Sequence, residues 1–125
     1  MQASNFELGK ALIQKKTKKN QEEIFVKIGN ILKRIHLKEI DWFGVDGKYA
    51  YVKTDNRNYP LSLSLKDLEG KLNHDDFIRI HQSYMVDVKK IESINLIDNF
   101  VTIKKVELPI GRSFRKQLLS QIVCF

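Results

Sequence analysis

At 125 residues with 42% hydrophobic side chains, the chain has material for about one domain with a modest core. Charges interrupt every apolar run well short of the ~18 residues a membrane helix needs. Met1 to Gly9 also lacks the apolar stretch and cleavage site of a signal peptide, so a cytoplasmic chain with no membrane association is expected. Twenty-two Lys and Arg against fifteen Asp and Glu give a net charge of +7, which favours a polyanionic partner such as nucleic acid or an anionic membrane surface.

The first predicted element is a helix over about Asn5 to Thr17. Ser4 and Glu7 have capping-box spacing, and Phe6, Leu8, Ala11 and Leu12 recur at helical intervals. Lys15, Lys16, Lys18 and Lys19 follow, then Asn20 and Gln21, and residues 1–22 read as a linker helix and basic linker. From Glu23 the period drops to two. Ile24, Val26 and Ile28 alternate as far as the turn signal Gly29-Asn30, and Ile31, Lys33 and Ile35 continue into a second strand. Glu39 to Val45 makes a third. Asp46-Gly47 signals a two-residue hairpin loop, and Tyr49 to Thr54 returns from it. After the polar turn at Asp55 to Asn58, Tyr59 to Leu63 carries a Pro60 that suits a sheet edge. Ser64 and Asp67 have cap spacing ahead of Leu65, Leu68 and Leu72, which share a helix face.

Strand character resumes at Phe77 to Ile80 and from Ile91. Asp98-Asn99 turns Ile94–Ile97 into Phe100–Ile103, and Lys104-Lys105 turns that strand into Val106–Ile110. A last helix follows Gly111, with Phe114, Leu118 and Ile122 four apart. The whole reads as about ten short strands and two short helices over residues 23–125, a mostly antiparallel β sandwich or partial barrel behind the N-terminal linker helix. Phe25, Trp42, Phe77 and Phe114 stand in apolar patterns that assign them to the core.

Catalytic and metal-binding patterns are missing. His36, His74 and His81 lie far apart, and none forms an i,i+4 pair or a ligand pattern with Cys124, the lone cysteine. There is no Gly-rich phosphate loop, G-x-S-x-G or H-E-x-x-H. No enzyme, cofactor or metal is expected.

Three segments carry candidate recognition chemistry. In Phe77 to Asp87, the polar triplet His81, Gln82 and Ser83 sits between apolar anchors, as a scaffold would present side chains to base edges and phosphate oxygens. An ordinary polar turn has the same pattern. In Leu108 to Lys116, Arg112 falls at a strand-to-helix corner, where its planar fork suits a guanine edge. Ser113, Arg115 and Lys116 suit phosphates, and cations at a helix N-terminus gain from an external anion. A solvated basic helix face is the alternative there. The third segment is the hairpin at Asp46, Gly47, Lys48 and Tyr49, with cross-strand packing the reading for Tyr51.

Together these segments resemble the LytTR family of bacterial DNA-binding domains. The family's D-G-N-Y-like hairpin reads D-G-K-Y at 46–49, its R-I-H-R-S-Y-like segment reads R-I-H-Q-S-Y at 79–84, and its V-S-R-S-Y-like corner reads I-G-R-S-F at 110–114. Order and spacing agree over roughly Phe25 to Ile122. The resemblance implies an elongated β-β-β sandwich of small antiparallel sheets that docks on double-stranded DNA through loops. By position, Arg112, Gln82, Lys48 and Tyr49 would read bases, and His81, Ser83, Ser113, Arg115 and Lys116 would contact phosphates. It also implies direct-repeat sites, a homodimer on DNA and a receiver domain ahead of the linker in a full-length response regulator. The chain then reads either as an excised output domain, the preferred reading, or as a stand-alone regulator. Gln82 stands where the family often has Arg or Asn, and Gly111 where Ser or Ala is common. Two other classes stay open: a single-strand-binding OB-like module, and a protein-interaction module that uses sheet edges.

Overall fold

The computed structural model describes residues 22–55, 57–72 and 75–125. The helix expected over Asn5–Thr17 and the lysine-rich stretch after it lie outside the described residues. Ten strands and two helices are described: β1 (Glu23–Ile28), β2 (Ile31–His36), β3 (Ile40–Asp46), β4 (Tyr49–Thr54), β5 (Asn58–Leu61), α1 (Leu65–Lys71), β6 (Phe77–His81), β7 (Tyr84–Asp87), β8 (Ser93–Asn95), β9 (Phe100–Ile103), β10 (Val106–Pro109) and α2 (Arg115–Leu119).

All strand pairings are antiparallel and form three sheets: β1-β2, β5-β4-β3-β7-β6 and β10-β9-β8. The five-stranded sheet is the middle layer, because each of its faces lines a separate core. One core joins Phe43, Val52, Tyr59 and Met85 to Val26 and Ile35 of the β1-β2 hairpin and to Leu65 and Leu68 of α1. The other joins Trp42, Ile78, Ile80 and Val86 to Val101, Ile103 and Leu108 of the three-stranded sheet and to Leu118 of α2. A sheet covered on both sides needs apolar residues at successive positions. That is why adjacent Trp42 and Phe43 in β3 are both buried.

Strict alternation has the opposite effect in β1, which is covered on one side. Ile24, Val26 and Ile28 turn toward the core, so Phe25 faces water at 53% exposure with the Arg34 guanidinium 4.7 Å above its ring. The expectation that Phe25 is a core residue is therefore corrected. Several element ends also differ, β5 among them, which stops at Leu61 and not Leu63. Leu96 to Asn99 is a turn and not the end of a strand, and α2 stops at Leu119, short of Ile122.

Two buried carboxylates organise the layers. Asp41 lies at the register shift between Ile40 and Trp42, where a bulge can re-aim a side chain. Its Oδ1 is 3.1 Å from Lys104 Nζ and 3.4 Å from Lys90 Nζ, so the β9-β10 turn is tied to the middle sheet by ion pairs. Asp87 accepts the Lys89 N–H at 2.9 Å, capping the short turn after β7. Burial pushes its carboxyl above the ordinary aspartate value of 3.8. The Lys89 amide opposes that rise, nearby Asp76 adds to it, and the Lys90 and Lys89 ammoniums oppose it.

A raised folded-state pKa means the native state binds more protons than the unfolded chain. Asp87 therefore lowers stability as pH climbs from 3.8 through the raised value. Asp87→Asn keeps an acceptor for Lys89 and cannot titrate. Its urea midpoint is expected to vary less across this acid range and to match or exceed that of the unsubstituted chain at neutral pH. An unchanged pH dependence would remove Asp87 from the account.

Candidate nucleic-acid interface

The turns β3-β4 and β6-β7 lie at the same end of the middle sheet, because β3 pairs antiparallel with both β4 and β7. Asp46 pairs with Tyr49, so the first loop is Gly47-Lys48, one residue later than the sequence signal suggested. Gly47 takes φ 66°, which a side-chain-bearing residue adopts at a cost. Lys48 is thereby placed at the tip, and Tyr49 beside it is 75% exposed. Tyr51 packs across Gly44, where a Cβ would lie 2.5 Å from the Tyr51 ring, and its hydroxyl accepts from Trp42 Nε1 at 3.4 Å. The cross-strand role expected of Tyr51 is the one it has.

The second loop is only Gln82-Ser83, since His81 belongs to β6 and pairs with Tyr84. A register shift between Arg79 and His81 marks a bulge just before the loop. Ser83 N–H donates to His81 Nδ1 at 3.0 Å, and Val45 N–H donates to Ser83 O at 3.0 Å. An accepting Nδ1 leaves the ring proton on Nε2, so a neutral His81 offers its remaining nitrogen as a donor. Burial raises the Tyr84 phenol above its ordinary value, with Tyr51 and Asp46 adding to the effect, so Tyr84 stays a neutral phenol beside the loop.

The third segment joins the second through the backbone. Gly111 N–H donates to Ile80 O at 2.7 Å, which sets the corner of residues 111–114 against the end of β6. Gly111 is needed for close approach and not for a special backbone angle, as its φ is −70°. A Cβ there would meet the Phe114 ring at 2.9 Å and the His81 backbone at 3.5 Å. His81, Gln82, Arg112, Ser113 and Phe114 line one shallow cleft on the resulting surface. Lys48 and Tyr49 line neighbouring clefts and do not enter that one.

The basic side chains divide into two groups. Arg112 and Lys116 are exposed, and among the described residues neither makes a side-chain hydrogen bond or ion pair. The same holds for Lys48, and for the Gln82 and Ser113 side chains. Arg115 instead braces the turn at 96–99: its Nη1 donates to Leu96 O at 2.8 Å and to Asn99 Oδ1. Arg79 lies outside the polar triplet that the sequence singles out and is held by the loop itself. Its Nε donates to His81 O at 2.9 Å, its Nη2 to Gln82 O at 2.6 Å, and its Nη1 pairs with Glu69 at 3.2 Å. The signal was available, as an arginine between buried Ile78 and Ile80 projects to the opposite face of β6, beside the loop. Among the described residues no cluster of three His, Cys, Asp or Glu side chains could hold a metal, and no helix is long and apolar enough to cross a membrane.

The chain is thus a β module of three stacked antiparallel sheets that presents basic and amide side chains from its turns. Residues 30–122 match the model of the LytTr DNA-binding domain, and the chain belongs to that family. It is 28% identical over 102 residues to the sensory transduction protein LytT of Bacillus subtilis, a match covering 78% of this chain and 42% of LytT. It is 35% identical over 91 residues to the heme-containing CO-sensing transcriptional regulator RcoM 2 of Paraburkholderia xenovorans, covering 67% of this chain and 33% of that protein. The transcriptional regulatory protein LytR of Staphylococcus aureus is 28% identical over 101 residues, with 78% of this chain and 41% of LytR covered. The match thus spans less than half of each of these relatives. The LytTr DNA-binding domain of a putative methyl-accepting/DNA response regulator from Bacillus cereus has the same fold, with a TM-score of 0.68 at 21% identity. That match covers 79% of this chain and 97% of the other.

Proposed function

We propose that this chain binds double-stranded DNA sequence-specifically through loop side chains, as the output domain of a cytoplasmic transcriptional regulator. The observation that carries this reading is the contrast among arginines. Arg79 and Arg115 donate to neighbouring backbone and side-chain groups of the chain, while Arg112 stands exposed at the corner with its fork turned to no described partner. A guanidinium held this way can meet the O6 and N7 of a guanine together. Gln82 beside it, and Lys48 with Tyr49 on the adjoining loop, extend the reading surface to other base pairs. His81 through Nε2, with Ser83, Ser113 and Lys116, is assigned to phosphates. Arg115 joins them through Nε and Nη2, which its brace to the 96–99 turn leaves unengaged.

A receiver domain elsewhere in the full regulator belongs to this reading, and the match leaves more than half of LytT and of LytR for other parts. Direct repeats and a homodimer on DNA belong to the same reading. Selection from random duplexes with single-stranded competitor present, followed by a salt titration on the winning duplex, tests it. Enrichment of a duplex motif is expected, with log affinity falling against log salt at a slope of about −0.9 per phosphate neutralised. Capture of single strands would favour an OB-like module. Failure to enrich either duplex or single strands would favour a protein-interaction module.

A further inference from the structure

Arg79 touches two of the three segments assigned to base reading, the Gln82 loop and the Arg112 corner. Its three donor groups are all engaged within the chain, by His81 O, Gln82 O and the Glu69 carboxylate of α1. Its guanidinium carbon lies 5.7 Å from the centre of the Phe114 ring. Phe114 closes the corner that displays Arg112, and its ring fills the space that Gly111 leaves by having no side chain. One planar group therefore rests on the carbonyls beneath Gln82 and on the ring behind Arg112. It is a poor phosphate ligand, because its side chain is 13% exposed and its charge is met by Glu69.

Resting on the DNA-reading function proposed above, we propose that Arg79 is a positioning residue that fixes the separation between the Gln82 loop and the Arg112 corner. It thereby sets the number of base pairs between the positions the two side chains read. The fork geometry is essential to this role. A guanidinium can hold two carbonyls and a carboxylate at fixed angles while lying against a ring, whereas an ammonium is a point donor. The consequence is a spacing rule. A one-base-pair insertion moves the two positions apart by about 3.4 Å along the duplex, which a rigidly coupled pair of loops cannot follow.

The test uses the selected duplex and a second duplex with one base pair inserted between the positions that Gln82→Ala and Arg112→Ala show to be read. The unsubstituted chain is expected to prefer the original spacing by at least roughly tenfold, as for a mismatched site. Arg79→Met is expected to lose most of that preference while its salt slope stays unchanged. Arg79→Lys, which keeps the charge and the stem, is expected not to restore it and serves if the methionine variant fails to fold. Thermal melting of each variant shows that folded protein is being compared. Three results would overturn the proposal: spacing preference retained in both variants, full rescue by lysine, or a salt slope reduced by about one, which would make Arg79 a phosphate contact. Absence of duplex binding by the unsubstituted chain would sink the DNA-reading function itself, a result distinguishable from the other three.

Discussion

Arg112→Ala is expected to weaken binding to the selected duplex by ~1–3 kcal/mol, roughly 5- to 150-fold, and to relax preference at a single base-pair position. The size follows from what the side chain contributes in each state. In the free protein Arg112 is exposed and has no described side-chain partner, so truncating it leaves no buried group unsatisfied and costs the fold little. In the complex proposed here it supplies a bidentate contact, and the whole of that contact is lost. Arg112→Lys is expected to recover part of the affinity and little of the preference, because an ammonium cannot present two parallel donors. Repeating the duplex selection with both variants checks this. A motif unchanged in both would remove Arg112 from base reading, and equal weakening on all sequences would make it a phosphate contact.

The strand-to-helix corner that carries Arg112 lies where the sequence places it, for a reason that applies to few other positions. A glycine, an arginine and a following apolar helical spacing are all local signals, and the corner they predict is a local object. The Gly29 and Gly47 turns were readable on the same ground, as both glycines adopt positive φ within two-residue loops. Loop placement at Asp46-Gly47 was off by one because Asp46 pairs with Tyr49, and pairing is decided by the partner strand.

What lay beyond local pattern was which face of each element is covered. Phe25 and Phe43 both stand in apolar runs, yet one is half in water and the other fully buried. The difference depends on β1 having one neighbouring layer and β3 having two. The role of Arg79 was hidden in a similar way. Its partners come from residues 69, 81 and 82, and from a ring 35 positions away at Phe114. Asp41 is the extreme case: a carboxylate in an apolar strand makes sense only once Lys90 and Lys104 arrive from elsewhere in the chain. The positions proposed to face DNA rest chiefly on the ordered triplet of motifs at 46–49, 79–84 and 110–114.

The second large effect separates stability from recognition. Phe43 is fully buried in the central strand β3, between Val52 and Met85 in register, and its ring meets Phe77 edge-on at 5.5 Å. Phe43→Ala is expected to lower unfolding free energy by ~3–5 kcal/mol, combining lost transfer energy with an unfilled cavity. That is a large share of the ~5–15 kcal/mol typical of a domain. Phe43→Leu fills most of the volume and should cost about 1 kcal/mol. Urea midpoints at constant slope measure both, and a loss below ~1 kcal/mol for alanine would refute this packing of the middle layer. The ring sits on the α1 side of the sheet, in a different core from the one beneath the Arg112 corner. At low temperature, where folded Phe43→Ala still predominates, its affinity for the selected duplex should therefore stay within about twofold of the unsubstituted chain. Loss on warming should track the unfolding curve. A drop in affinity while the protein is still fully folded would show that the two cores are coupled through β3, whose Val45 amide holds the Ser83 carbonyl of the reading loop.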